Sequence, residues 1–91
     1  MKIKLRGGVS LAEQISFCRQ LAVILRSGLP LLNALQLLQK HGSTKQMLLC
    51  YRLQQRLRRG SSLAQALADE ADYGKHLTVT LVAVGEESGE L

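Results

Sequence analysis

Leu25-Arg26-Ser27-Gly28-Leu29-Pro30-Leu31-Leu32-Asn33-Ala34-Leu35 is matched further along by Leu57-Arg58-Arg59-Gly60-Ser61-Ser62-Leu63-Ala64-Gln65-Ala66-Leu67, so Leu-Arg-x-Gly-x-x-Leu-x-x-Ala-Leu occurs twice, 32 residues apart. Extended backwards, the same offset pairs Ile15 with Met47, Phe17 with Leu49, Cys18 with Cys50 and Leu21 with Leu53. Glycine readily takes the left-handed conformation that ends a helix, and apolar residues three and four apart mark helical faces. The copied unit is therefore helix, glycine cap, helix. Two such units predict an all-α fold, an antiparallel bundle of about five to six helices.

Composition agrees. A chain of 91 residues holds at most one small domain. Apolar residues make up 46% of it but aromatics only 3%, so the core must come from Leu, Ala, Val and Ile, which suits close helix packing. Cys18 and Cys50 occupy equivalent apolar places with no Cys-x-x-Cys spacing and no histidine cluster, and read as reduced core thiols. Neither a membrane-spanning run nor the apolar stretch of a signal peptide is visible, so these residues are expected to be soluble and cytoplasmic. Charge is divided unevenly. Through Gly60, eleven Lys and Arg oppose Glu13 alone, a net +10, whereas from Ser61 onward Lys75 opposes six acids, a net −5.

Residues 1–9 lack periodicity and read as a flexible leader. Ser10 and Glu13 form a capping box that opens a first helix, with Leu11, Ile15, Cys18, Ala22 and Leu25 as its apolar stripe and Gly28 as its cap. Pro30 is expected as the first residue of a second helix, apolar over most of its circumference and ending near His41. A third, capped by Ser43 or Thr44, spans about 44–59 with Met47, Cys50, Leu53 and Leu57 inside and Lys45, Arg52, Arg56 and Arg59 as a basic stripe outside. Gly60 ends it. Ser61 or Ser62 caps a fourth helix whose apolar face fades at 69–72, and His76 falls in a polar loop. The β-branched run 77–84 fits strand and helix equally. A lone strand would have no sheet to join, so helix is expected there.

Phe17 with Arg19-Gln20-Leu21-Ala22, Leu25-Arg26-Ser27-Gly28-Leu29-Pro30-Leu31, Ala34-Leu35, Gly60 with Ser62-Leu63 and Ala66-Leu67, and Gly85-Glu86-Glu87-Ser88-Gly89-Glu90-Leu91 together resemble the type II secretion system F domain. That family comprises the inner-membrane platform proteins of type II secretion, type IV pilus assembly and the competence pseudopilus. The resemblance spans residues 10–91. It marks Phe17, Gln20, Leu21, Gly28, Pro30, Leu31, Gly60, Leu63, Ala66, Gly85, Glu86, Ser88, Gly89 and Leu91 as motif positions, and it implies a cytoplasmic helical bundle cut before its last helix and the transmembrane segments. Where the family has a Phe-Pro or similar pair, Asp72-Tyr73-Gly74-Lys75-His76 stands here. The resemblance further implies a scaffold linking the assembly ATPase to pilin or pseudopilin subunits and other inner-membrane components. In the full-length protein that scaffold would sit at the bacterial inner membrane, anchored by segments absent from this chain.

No catalytic constellation is visible in the sequence. His41 and His76 lack catalytic companions, and the glycines at 7–8 and 85–89 lack the Lys-Ser or Lys-Thr of a phosphate loop. Glu86, Glu87 and Glu90 do not match a calcium-binding loop, so no metal and no cofactor are expected. Arg52, Arg56, Arg58 and Arg59 are the candidate partner-facing surface, and a homodimer is expected because a cut bundle leaves apolar faces open. With only Phe17, Tyr51 and Tyr73 for stacking, nucleic acid is not the expected partner. Two other readings remain open: a helix-turn-helix-like nucleic-acid binder using the third helix, and a helical-repeat adaptor.

Overall fold

The computed structural model of the chain describes residues 9–76, which form α1 (Leu11–Arg26), α2 (Leu31–Lys40), α3 (Thr44–Arg58), α4 (Leu63–Ala68) and α5 (Ala71–Lys75). Among the described residues there is no strand, and the fold is all-α. The expected helix over 77–84 and the glycine-rich motif at 85–91 lie outside the described residues.

Local chemistry sets the helix ends. The Ser10 hydroxyl accepts from the Glu13 amide at 3.1 Å while the Glu13 carboxylate accepts from the Ser10 amide at 3.0 Å, the reciprocal box read from sequence. Ser62 and Gln65 repeat that arrangement at the start of α4, and Ser43 alone caps α3. Gly28 (φ 98°) and Gly60 (φ 105°) both adopt the left-handed conformation. After α3 the Gly60 amide donates to the Leu57 carbonyl and the Ser61 amide to that of Arg56, each at 3.0 Å, closing a complete Schellman turn. Pro30 differs from expectation. It is the N-cap of α2, extended at φ −60° and ψ 153°, because its carbonyl accepts the first intrahelical bond, from Ala34, before its own backbone turns helical.

The repeat predicts the core. Phe17 and Leu49, Cys18 and Cys50, Leu21 and Leu53, Ala34 and Ala66, and Leu35 and Leu67 are all buried and join one cluster. Periodicity within single helices placed the inner faces less well. On α1 the buried residues are Gln14, Phe17, Cys18, Leu21 and Ala22, while Leu11 is exposed; on α3 they are Leu49, Cys50, Leu53 and Gln54, while Met47 is exposed. On α2 only Ala34, Leu35 and Leu38 are buried. The adjustment is a rotation of each face by about one residue, because the centre of a buried stripe depends on where neighbouring helices lie.

Two glutamines on the inner faces are spent on helix contacts. Gln54 Nε2 donates to Gln39 Oε1 between α3 and α2, and Gln14 Nε2 donates to the Val9 carbonyl at 3.1 Å. Residues 72–76, expected as loop, largely form α5. Its Tyr73 is buried, with its ring edge-on to Phe17 at 6.0 Å between centroids and 83° between planes. Val9, grouped with the leader on sequence, is half-buried, and its amide donates to Asp72 Oδ2 at 2.8 Å.

Candidate partner interface on α3

Helix α3 carries Lys45, Arg52, Arg56 and Arg58, with Arg59 as its C-cap, and no acidic residue. Arg52 and Arg56, one turn apart, project from neighbouring positions on the same side of the helix. The carboxylate of Glu70, at the junction of α4 and α5, meets both. Arg52 donates to it through Nε at 2.9 Å and Nη2 at 2.8 Å, a bidentate fork, and Arg56 Nη1 donates at 2.6 Å. Arg56 Nη1 also donates at 3.1 Å to the Ala66 carbonyl, one of the carbonyls that α4 leaves open at its C-terminal end, and Arg56 Nε lies 3.9 Å from Asp69. Burial pushes the Glu70 carboxyl up, but the hydrogen bonds from Arg52 and Arg56, with their charges, outweigh it and hold the group below the usual glutamate value.

The four arginines of the sequence reading therefore do different work. Arg52 and Arg56 tie α3 to the α4–α5 junction, yet the Arg52 side chain remains 45% exposed. Arg58 and Arg59 are exposed and have no acidic partner among the described residues. The described motif positions are mostly architectural. Phe17, Leu21 and Ala66 are buried, Leu31 and Leu63 pack against the core, and Gly28, Pro30 and Gly60 shape helix ends, while Gln20 is exposed and donates to Ser16 Oγ at 3.3 Å. Gly85, Glu86, Ser88, Gly89 and Leu91 lie outside the described residues.

Sequence reasoning missed Glu70, which looked like part of a fading helix end. It also passed over Leu48 and Tyr51, exposed at 50% and 54% beside the arginines. Their signal was present in the spacing of Leu48, Arg52, Gln55 and Arg59 at four, three and four, a second face of α3 opposite the buried one. Among the described residues no group of three His, Cys, Asp or Glu is placed to hold a metal ion, and no helix is long and apolar enough to cross a membrane.

Comparison with known proteins places the chain in a family. The family described as type II secretion system (T2SS), protein F, matches residues 17–91. The chain belongs to the T2SS protein F family. A relative, the type 4 fimbrial assembly protein PilC of Pseudomonas putida, is 41% identical over 80 residues, covering 87% of this chain and 20% of the relative. This T2SS F chain thus spans about a fifth of the length of that protein. No solved structure matches it.

Proposed function

We propose that this T2SS F chain is a non-enzymatic, cytoplasmic scaffold segment of an inner-membrane platform protein in type II secretion or in type IV pilus or pseudopilus assembly. It couples an assembly ATPase to pilin subunits and other membrane components by holding surfaces in fixed relation. The observation that carries this reading is the family match over residues 17–91, and the relative named for fimbrial assembly supports it. The surface offered to the partner is the basic side of α3, Arg52, Arg56, Arg58 and Arg59, because a charged stripe fixes orientation and speeds encounter. Self-association is part of the proposal. Ile15, Val23 and Leu38 line a wide groove along α1 that a second copy would cover.

The test is capture of the co-encoded assembly ATPase by the chain. Reversal at Arg58 and Arg59 is the informative change, since reversal at Arg52 or Arg56 would also strand Glu70. Loss of capture by Arg58→Glu with Arg59→Glu, at unchanged helicity, is expected. Undiminished capture would remove α3 as the interface, and no capture by the parent chain would remove the coupling role. Sedimentation of the parent chain against Val23→Glu tests self-association: a dimer that the variant abolishes is expected.

A further inference from the structure

The outer side of α3 is more than a charged stripe. Leu48, Tyr51, Arg52, Gln55 and Arg59 share one face over twelve residues, about 16 Å from first to last, or three turns. Two of the five are large apolar groups left half in water, on a basic helix whose Arg58 and Arg59 have no acidic partner among the described residues. Tyr51, Arg52, Gln55, Arg56 and Arg59 also line a shallow hollow of about 250 Å³. Glu70 grips Arg52 through Nε and Nη2, so among the described residues Nη1 has no partner on a guanidinium that is already oriented. An arginine held in place loses little freedom when it takes a second carboxylate.

We propose that this face is a docking surface for an acidic amphipathic helix of a partner protein, with the partner's apolar residues seated on Leu48 and Tyr51 and its carboxylates on Arg52 and Arg59. The proposal deepens the assignment of α3 as the partner-facing side and rests on it. Charge complementarity selects the occupant. Arg58 and Arg59 call for anions, while Leu48 and Tyr51 between and beside the cations call for apolar contact, and an acidic amphipathic helix supplies both at matching spacing. Tyrosine and arginine are also the residue types that dominate protein interface cores. An anionic lipid surface fits less well, because exposed Asp69 stands beside Arg56 and would be repelled. Duplex nucleic acid would leave Leu48 facing phosphates.

The experiment is selection of a phage library of random peptides, about sixteen residues long and so up to four helical turns, on the full 91-residue chain. Selected peptides are then titrated by fluorescence anisotropy. The expected result is a consensus of Glu or Asp with apolar residues three and four apart, bound about tenfold or more weakly by Tyr51→Ala and by Arg59→Glu. Arg26→Glu, an exposed charge change on α1, is expected to leave binding unaltered. Tyr51→Gln serves as a second variant, and circular dichroism checks that each keeps its helices. The proposal falls if nothing is selected, if the consensus lacks acids, or if Arg26→Glu weakens binding as much as Arg59→Glu. It also falls if vesicles containing phosphatidylglycerol bind through Tyr51 and Arg59 while no peptide does. ATPase capture reads separately. Peptide binding without capture leaves this surface standing and removes the coupling role, whereas capture unaffected by Tyr51→Ala and without peptide selection does the reverse.

Discussion

A carboxylate withdrawn from water is stable only where its charge is met, and Glu70 meets two guanidiniums that reach it from α3. Replacing it with glutamine keeps the shape but leaves Arg52 and Arg56 facing a neutral group. Because Arg52 is still partly solvated, the expected loss is about 1–3 kcal/mol rather than that of a deeply buried pair, measured by urea unfolding at pH 7. The sign of the pH dependence follows from the lowered native value. The unfolded carboxyl titrates near 4.3, so the stabilisation is complete above that and is lost as pH falls through the native value. As pH falls below about 5 and on through the native value, the parent should approach Glu70→Gln in stability, and a constant gap would assign the loss to packing instead. The cysteines give a second residue-scale expectation. Burial pushes the thiol of Cys18 up to about 12 and that of Cys50 up to about 11. At pH 8 both should react with a chromogenic disulfide at least about a hundredfold more slowly in the native chain than in urea.

Most helix ends, Pro30 and those of α5 apart, were legible in the sequence to within a residue because they are decided within a few residues. Ser10, Ser43 and Ser62 cap by hydroxyls that reach only the next turn, and Gly28 and Gly60 end helices by a backbone conformation that side chains disfavour. Nothing lies within 4 Å of a Cβ added at either glycine, so Gly28→Ala and Gly60→Ala cost only the left-handed backbone. Each should lose about 1–2 kcal/mol in urea unfolding, and a gain in stability at either site would contradict the cap. Which face of a helix is buried was less legible. Periodicity on α1 drew the stripe through Leu11, Ile15, Cys18, Ala22 and Leu25, of which Cys18 and Ala22 are buried, while the repeat paired Ile15, Phe17, Cys18 and Leu21 with second-copy residues, and the last three are buried. The inner repeat pairs are buried for a physical reason, since a position apolar in both copies occupies equivalent places in two packed units, although the outermost pair, Ile15 and Met47, is not buried. Tyr51 and Leu48 were missed because apolar character had already been assigned inward.

At the scale of the molecule, the duplicated hairpins share one cluster, in which Leu21 and Leu35 of the first copy join Leu53 and Leu67 of the second. Neither copy has a core of its own. The short α5 lies outside the repeat and holds the assembly closed: Glu70 at its start is gripped from α3, Tyr73 in its middle packs on Phe17 of α1, and Asp72 receives the amide of Val9, 63 residues away. These ties were illegible in the sequence because each joins residues far apart in the chain, and five residues of polar character carry no periodicity. Tyr73 offers the sharpest test of that closing role. Its ring makes the edge-on contact with Phe17, so the ring should carry the interaction. Tyr73→Phe keeps the edge-on contact and should change stability by no more than about 0.5 kcal/mol. Tyr73→Ala empties the site beside Phe17 and should cost about 3–5 kcal/mol, a large share of what a domain this small possesses. If α5 closes the whole bundle, the alanine variant should unfold in one cooperative transition at lower urea, with far-ultraviolet ellipticity and Cys18 and Cys50 reactivity changing together. Loss of α5 alone, with the cysteines still protected at the parent's midpoint, would show instead that the duplicated hairpins stand without it.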